Sequence, residues 1–210
     1  YPETPGEIAR YKRHILRKFY YYLSDYSDET VLIDSLEELA EYSGKSNVHV
    51  RMAPGTHEVT VDKCKEMFDS NNAIELLKFT GSDSYFDFRA VEIKFDKTGV
   101  DGTFAKVGGR NNIIRGLSLI NGSFGVDGER HLIHDVNILN RGGWPYGYQE
   151  GLTMARGWGI NNVRKGSTLY PGADSYYVDL NVKHRTPGHI MSHGWQPRHT
   201  FIDCYFSGQL

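Results

Sequence analysis

A chain of 210 residues with 39% hydrophobic side chains, 23 Gly and 14 Tyr can build one ordinary core and is too varied to stay disordered. Its formal net charge of −2 leaves no global attraction for nucleic acid or an anionic membrane, and no apolar run approaches the ~20 residues of a membrane span. Two cysteines far apart in sequence, Cys64 and Cys204, do not make a disulfide framework.

Residues 4–24 predict a helix. Thr4-Pro5-Gly6-Glu7 combines capping-box spacing with proline at the first helical position. Ile8, Tyr11, Ile15, Phe19 and Leu23 then recur at helical spacing. The basic residues Arg10, Lys12, Arg13, Arg17 and Lys18 read as a solvated outer face rather than a membrane or nucleic-acid surface, because tyrosines and acidic residues follow at once. Val31-Leu32-Ile33 predicts a short strand. Ser35-Leu36-Glu37-Glu38 is a second capping box, opening a short helix with Leu36, Leu39 and Ala40 on one face and Gly44 at its end. A strand, Val48–Met52, then runs into Ala53-Pro54-Gly55-Thr56-His57. Strand, small helix and strand together suit a lid over the open end of a repeat structure, whose first unit would otherwise expose its core.

From Ile74 onward one short phrase recurs five times, at Arg89–Ile93, Arg115–Leu119, His134–Ile138, Val178–Val182 and Ile202–Phe206. In each, two apolar residues flank one that is usually polar, as a strand with one buried face requires. The copies start 26, 19, 44 and 24 residues apart. The interval of 44 reads either as two steps of 22 or as one step in which a turn has grown. A second column lies upstream, aligned on glycine: Leu77–Gly81, Ala105–Gly109, Phe124–Gly128, Thr168–Gly172 and Ile190–Gly194. Short polar turns such as Asn111-Asn112 and Asp174-Ser175 join the columns, so each coil holds at least two strands. Period-two geometry points Leu77, Phe79, Ala105, Val107, Phe124, Val126 and Ile190 inward with the apolar pair of each phrase. Cys204 holds one such inward position, where a thiol acts as a small hydrophobe.

The helical lid, Pro54-Gly55-Thr56, the coils of roughly 22 residues and the segment Gly188-His189-Ile190-Met191-Ser192-His193-Gly194 together resemble the right-handed parallel β-helix of the pectate-lyase-like superfamily. That last segment is similar to a Gly-His-Gly strand of polygalacturonase-type members, with Ile190 where the second glycine would stand. The resemblance spans roughly residues 30–210. It implies an all-β solenoid, a right-handed parallel β-helix over 31–210 with a capping helix, preceded by a helical extension over 1–30. It also implies a secreted, periplasmic or cell-surface setting. It selects no chemistry, since that fold carries lyases, hydrolases, epimerases and non-enzymatic adhesins. The sequence has no Asp cluster of the calcium-binding kind seen in pectate lyases. No cofactor is therefore called for, Ca2+ being the one the resemblance would allow.

Chemistry-bearing residues gather in three places. On the upstream column the residues alternating with the core ones face outward: Lys78, Thr80, Lys106, Gly108, Asp127, Pro171, Met191 and His193. Lys78 and Lys106 occupy one aligned position and would form a basic ladder if those coils stack directly. In the family resembled, the corresponding face floors the substrate groove; the alternative is lysine on an ordinary solvated strand. The densest cluster is Lys183-His184-Arg185-Thr186-Pro187-Gly188-His189, followed by His193, Arg198 and His199. Histidine serves as base or acid near neutrality, and arginine holds a carboxylate through paired hydrogen bonds. A metal site is a weaker reading, since no acidic ligand sits close by. The third place is Asn140–Gly151, where Arg141, Trp144, Tyr146 and Tyr148 would stack on or clamp a sugar, or else pack the loop onto the coils.

These parts favour an acidic, uronate-containing polysaccharide or oligosaccharide as partner and β-elimination as the reaction. His189, Arg185, Lys183 and Tyr148 are then the catalytic candidates. Lys78, Lys106, Asp127, Arg141, Trp144, Tyr146 and His193 are the binding candidates. A glycoside hydrolase would need two carboxylates about 5–9.5 Å apart, and the predicted face offers Asp127, with Glu129 and Glu150 in nearby loops. A non-catalytic glycan-binding or adhesive solenoid needs the aromatic loop alone. The sequence stops at Ser207-Gly208-Gln209-Leu210 without a capping pattern, so further coils, another chain or a partner segment is expected over the last coil.

Overall fold

The computed structural model describes residues 2–24, 29–60, 74–95, 102–120, 123–126, 128–140, 174–184 and 200–207. Chain order gives α1 (Pro5–Ser24), β1 (Thr30–Ile33), α2 (Leu36–Ser43), β2 (His49–Met52), β3 (Gly55–Val59), β4 (Ile74–Phe79) and β5 (Tyr85–Phe95). Then come β6 (Gly102–Val107), β7 (Ile113–Ile120), β8 (Ser123–Val126), β9 (Leu132–His134), β10 (Asn137–Asn140), β11 (Tyr176–Val178), β12 (Asn181–His184), β13 (Thr200–Ile202) and β14 (Tyr205–Ser207). The described chain is mostly β, with two helices, and its strands pair in parallel. The main sheet runs β1-β2-β5-β7-β10-β12-β14, with β3, β9, β11 and β13 attached, and β4-β6-β8 form a second sheet.

Both helices begin where the capping boxes place them. The Glu7 carboxylate accepts from the Thr4 amide at 3.0 Å, and the Glu7 amide donates back to Thr4 Oγ1 at 3.3 Å. The Ser35 hydroxyl and the Asp34 amide bind Glu38 Oε2, and the Glu38 amide donates to Ser35 Oγ. Leu36 and Leu39 are buried, and Ala40 packs against the main core. β3, which starts at Gly55, is one strand that alternation in the sequence did not announce: its outward residues Thr56 and Glu58 leave only His57 and Val59 on the alternate positions. It pairs with the second half of β5, from Gly55 opposite Val91 to Val59 opposite Phe95.

The five phrases stack in one register: Val91 on Leu117, Leu119 on Ile138, Ile138 on Val182, Val182 on Phe206. Their apolar pairs, from Val91 and Ile93 to Leu180 and Val182, are buried, and Cys204 and Phe206 pack against the same core. The first three copies of the glycine-aligned column stack as well, Leu77 on Ala105 on Phe124 and Phe79 on Val107 on Val126, while Thr168–Gly172 and Ile190–Gly194 lie outside the described residues. Between these two lies a middle column, so that the glycine-aligned strands come first in each step and the phrases form the third column. Tyr85–Asp87, Ile113–Arg115, β9, β11 and β13 lie side by side and contribute Phe86, Ile114, Ile133 and Tyr177 to the core. Leu132 pairs directly with Tyr176, and Asn137 directly with Asn181. The interval of 44 residues is therefore one step between adjoining strands, not two.

Backbone conformation explains the columns. Among the described residues, the nine non-glycine positions with positive φ fall into two stacks at the bends. Asn47, Asp83, Asn111, Arg130 and Asp174 precede the middle column; Ala90, Asp135, Asp179 and Asp203, together with Gly116, separate it from the third. Asn and Asp tolerate the left-handed region best among side-chain-bearing residues, which is why the turns are polar. Gly109 and Gly128 also have positive φ, and close packing adds a second reason for glycine there. A Cβ on Gly109 would lie 2.3 Å from the Gly81 carbonyl oxygen, and one on Gly128 would lie 2.2 Å from that of Gly109.

The residues after the first set of bends, expected in surface turns, instead point inward. Ser84, Asn112, His131 and Ser175 are all buried. The Ser84 amide donates to Asn112 Oδ1 at 3.1 Å, the Asn112 amide to His131 Nδ1 at 3.2 Å, and the His131 amide to Ser175 Oγ at 3.1 Å. Bends leave amides that no strand partner satisfies, and each step of the stack satisfies the one before it.

Helix α1 lies against the outer side of the middle column. Ile15 and Phe19 are buried with Ile113, Leu132, Val178 and Ile202, and Ile8, Tyr11, Leu16 and Tyr20 pack around them. One of its basic residues departs from the expected solvated face: Lys12 donates to Asp179 and, at 3.0 Å, to Asp203.

Candidate functional site

On the third column, the positions between the buried ones project away from the core. Glu92, Ser118, Asn137, Asn181 and Tyr205 succeed one another in register across β5, β7, β10, β12 and β14. Parallel strands repeat every ~4.8 Å, so these side chains form a ladder with that spacing. The Asn181 amide donates to Asn137 Oδ1 at 2.9 Å, and the Asn137 amide to Ser118 Oγ at 3.4 Å. Two residues further along, Glu58, Lys94, Ile120, Leu139, Lys183 and Ser207 make a second row. Lys94 donates to Glu58 Oε1 at 2.9 Å.

Lys183 is the catalytic candidate that falls on this face. It is exposed on β12, and its Nζ lies 5.7 Å from the centre of the Tyr205 ring, within cation–π range. Tyr205 is 57% exposed, an aromatic ring standing off the sheet beside two amides and a cation. Such a set suits a hydroxyl-rich ligand with negative charge: the ring offers an apolar face, the amides pair with hydroxyls, and the ammonium meets an anion.

Lys78 and Lys106 do pair directly, β4 against β6, and Lys78 is exposed. Gly125 follows Lys106 on β8, so the ladder has two basic positions before the third strand interrupts it. His189, Arg185, Tyr148, Asp127, Arg141, Trp144, Tyr146 and His193 lie outside the described residues. The structure does fix where two of their segments leave the sheet. β10 ends at Asn140, β12 ends at His184, and these two residues are register partners on neighbouring strands. The segment with Arg141, Trp144, Tyr146 and Tyr148 and the segment with Arg185, His189 and His193 thus follow directly on two paired strand ends, next to Lys183 in sequence.

Tyr205, Asn181, Asn137 and Ser118 were not singled out in the sequence, although each sits at the polar centre of a phrase. The signal was the shared position; it becomes a site only once the copies are known to be neighbours.

A second polar cluster lies under α1. Arg89 grips Asp87 with Nε at 2.9 and 3.0 Å and Nη2 at 2.6 Å. Burial raises the Asp87 carboxyl, but the Arg89 hydrogen bonds more than offset this and hold it below its ordinary value. Arg115 follows Asp87 in register and His134 follows Arg115. The His134 Nε2 lies 3.4 Å from Asp179, and burial, helped by Arg115, lowers its pKa. Burial draws the Lys12 ammonium down, yet Asp179 and Asp203 leave it raised overall. Tyr20 covers the cluster, its ring 6.0 Å from the Arg115 guanidinium. A helix packed over these groups makes them a docking seam rather than a substrate site.

Among the described residues no group of three or more His, Cys, Asp or Glu is placed to hold a metal, and no helix is long and apolar enough to cross a membrane. No protein-family model matches the chain, and no curated protein matches it.

Proposed function

We propose that the stacked columns are walls of a right-handed parallel β-helix of the pectate-lyase-like type, and that its third column binds an acidic, uronate-containing polysaccharide for cleavage by β-elimination. The observation that carries this reading is the pairing of Asn140 with His184 beside Lys183. It starts both chemistry-bearing segments from one edge of a face that already offers a ring, an amide ladder and a cation. A linear polymer suits a face whose groups repeat at strand spacing along the stack.

In the proposed reaction a cation set from Lys183 and Arg185 neutralises the uronate carboxylate, which acidifies the adjacent carbon. His189 takes the proton from that carbon, the electron pair forms the carbon–carbon double bond, and the bond to the glycosidic oxygen breaks. Tyr148 returns a proton to that oxygen. Arg141, Trp144 and Tyr146 hold the sugar residues flanking the break, and Lys78, Lys106, Asp127 and His193 line the neighbouring column. No cofactor is required by this scheme. A secreted, periplasmic or cell-surface setting follows from such a substrate.

The test is incubation with polygalacturonate, alginate and hyaluronate, following the ultraviolet absorbance of the unsaturated product. Turnover of at least one polymer is expected, with Lys183→Ala, Arg185→Ala and His189→Ala each reducing kcat at least tenfold. New reducing ends without that absorbance would instead assign hydrolysis, and binding without either product would assign a non-catalytic glycan-binding role. Unchanged rates in all three variants would remove the site.

A further inference from the structure

The exposed side of α1 carries a stripe that its packing does not use. Arg10, Arg13, His14, Arg17 and Lys18 are all exposed, and their spacing of three or four residues puts them on one helical face. Glu7 is the one acidic residue of the helix, and its carboxylate is turned back onto Thr4. Like charges three or four apart mildly destabilise a helix, so an unbroken cationic face costs stability that a mixed face does not. Here the cations stand together in a chain whose net charge is −2.

The stripe runs into a cleft. Beside the C-terminal half of α1 a cavity of about 470 Å³ is lined by Lys18, Tyr21, Tyr22, Arg130, Asp174 and Tyr176, among others. That volume lies within the range of small-ligand sites. Tyr21 is 75% exposed, a ring turned to solvent at the mouth. Asn111 lies in the wall and donates to Asp83 at 2.6 Å. Thus the cleft joins aromatic faces, the Lys18 ammonium, the Arg130 guanidinium (3.4 Å from the exposed Glu129 carboxylate) and the Asp174 carboxylate.

We infer that the α1 stripe and this cleft form a second binding surface for an acidic polysaccharide, separate from the third-column face. The stripe holds successive carboxylates or sulfates, and the cleft takes one sugar residue, with Tyr21 against its apolar side and Arg130 or Lys18 on its anion. Asp174 in the cleft wall favours a sugar over a deoxynucleotide strand, since its carboxylate accepts from free sugar hydroxyls, which such a strand lacks along its length. The choice of polymer rests on the acidic-glycan reading above; the surface itself does not depend on the catalytic scheme.

The experiment measures binding of a polygalacturonate decamer, a single-stranded oligothymidylate and phosphatidylserine vesicles to the full chain and to variants. The combined Arg10→Ala, Arg13→Ala, Arg17→Ala and Lys18→Ala variant keeps Lys12 and gains helix propensity, so its circular dichroism should match the parent. It is expected to weaken decamer binding more than tenfold and to flatten its salt dependence. Tyr21→Ala and Arg130→Ala should each cost about threefold. The combined change should produce the same loss in a Lys183→Ala background, which isolates α1 from the third-column face. Parent-like binding by the combined variant, no binding of the decamer by the parent, or tighter binding of oligothymidylate or vesicles than of the decamer would overturn the inference. Retained α1-dependent binding in a chain that releases no unsaturated product would overturn the catalytic scheme alone.

Discussion

At the bends, single residues hold conformations that most side chains avoid. Ala90 has φ +61 in a stack whose other members are Gly116, Asp135, Asp179 and Asp203. Alanine has neither the freedom of glycine nor the side-chain hydrogen bond by which Asp and Asn offset the left-handed cost of roughly 1–2 kcal/mol. Ala90→Gly is therefore expected to stabilise the fold by about 0.5–1 kcal/mol, after the loss in unfolded-chain stiffness is allowed for. Gly109 is the opposite case. Its φ is +69 and a Cβ would meet the Gly81 backbone at 2.3 Å, an atom that cannot turn aside. Gly109→Ala should cost about 2–4 kcal/mol by denaturant unfolding, combining left-handed strain with steric displacement of the neighbouring Gly81 bend. A loss below about 1 kcal/mol would mean that the stack gives way more easily than its stacked glycines indicate.

At the level of elements, α1 is tied to the sheet by an apolar seam and by the Lys12–Asp179–His134 contacts. The groups facing His134 are Arg115, Asp135 and Asp179, with Lys12 shared through Asp179. Because burial and Arg115 lower the folded-state pKa, the unfolded chain binds a proton that the folded chain refuses. Stability is thus lost as pH falls below the ordinary histidine value of 6.5, until the folded value is passed. His134→Gln should remove this contribution, so its unfolding midpoint should fall less than that of the parent between pH 7.5 and 5.5, and equal slopes would exclude the role. This seam was half legible in the sequence. The spacing of Ile8, Tyr11, Ile15 and Phe19 announced an apolar face, and two capping boxes fixed the helix starts. Nothing local said that the face would cover the outside of a sheet or that Lys12 would leave the basic stripe. Those facts depend on which aspartates the bends bring beneath it. The middle strand column was likewise hidden, because its strands are short and its first polar residues turn inward.

Across the whole molecule, aligning the repeat anticipated the parallel register, since a one-residue slip would turn both buried positions of a phrase outward. It left the 44-residue interval open, because length alone does not distinguish two coils from one coil with a grown turn. Direct pairing of Leu132 with Tyr176 and of Asn137 with Asn181 decides for the grown turn. For the same reason the candidate site was legible as residue types but not as a place. Arg141 and Arg185 stand 44 positions apart in sequence, while Asn140 and His184, the residues before them, are partners on neighbouring strands. If the extra length serves the substrate rather than the fold, most of it can be removed. Excising residues 141–160 would bring this step to the length of the one that follows it. Loop-length changes of this size alter closure entropy by under about 1 kcal/mol, so cooperative unfolding should survive with a midpoint close to that of the parent. The same excision removes Arg141, Trp144, Tyr146 and Tyr148, and turnover of uronate polymers should fall by at least a hundredfold. Loss of folding together with activity would instead make those residues part of the fold, and full activity in a folded variant would remove Tyr148 as the proton donor.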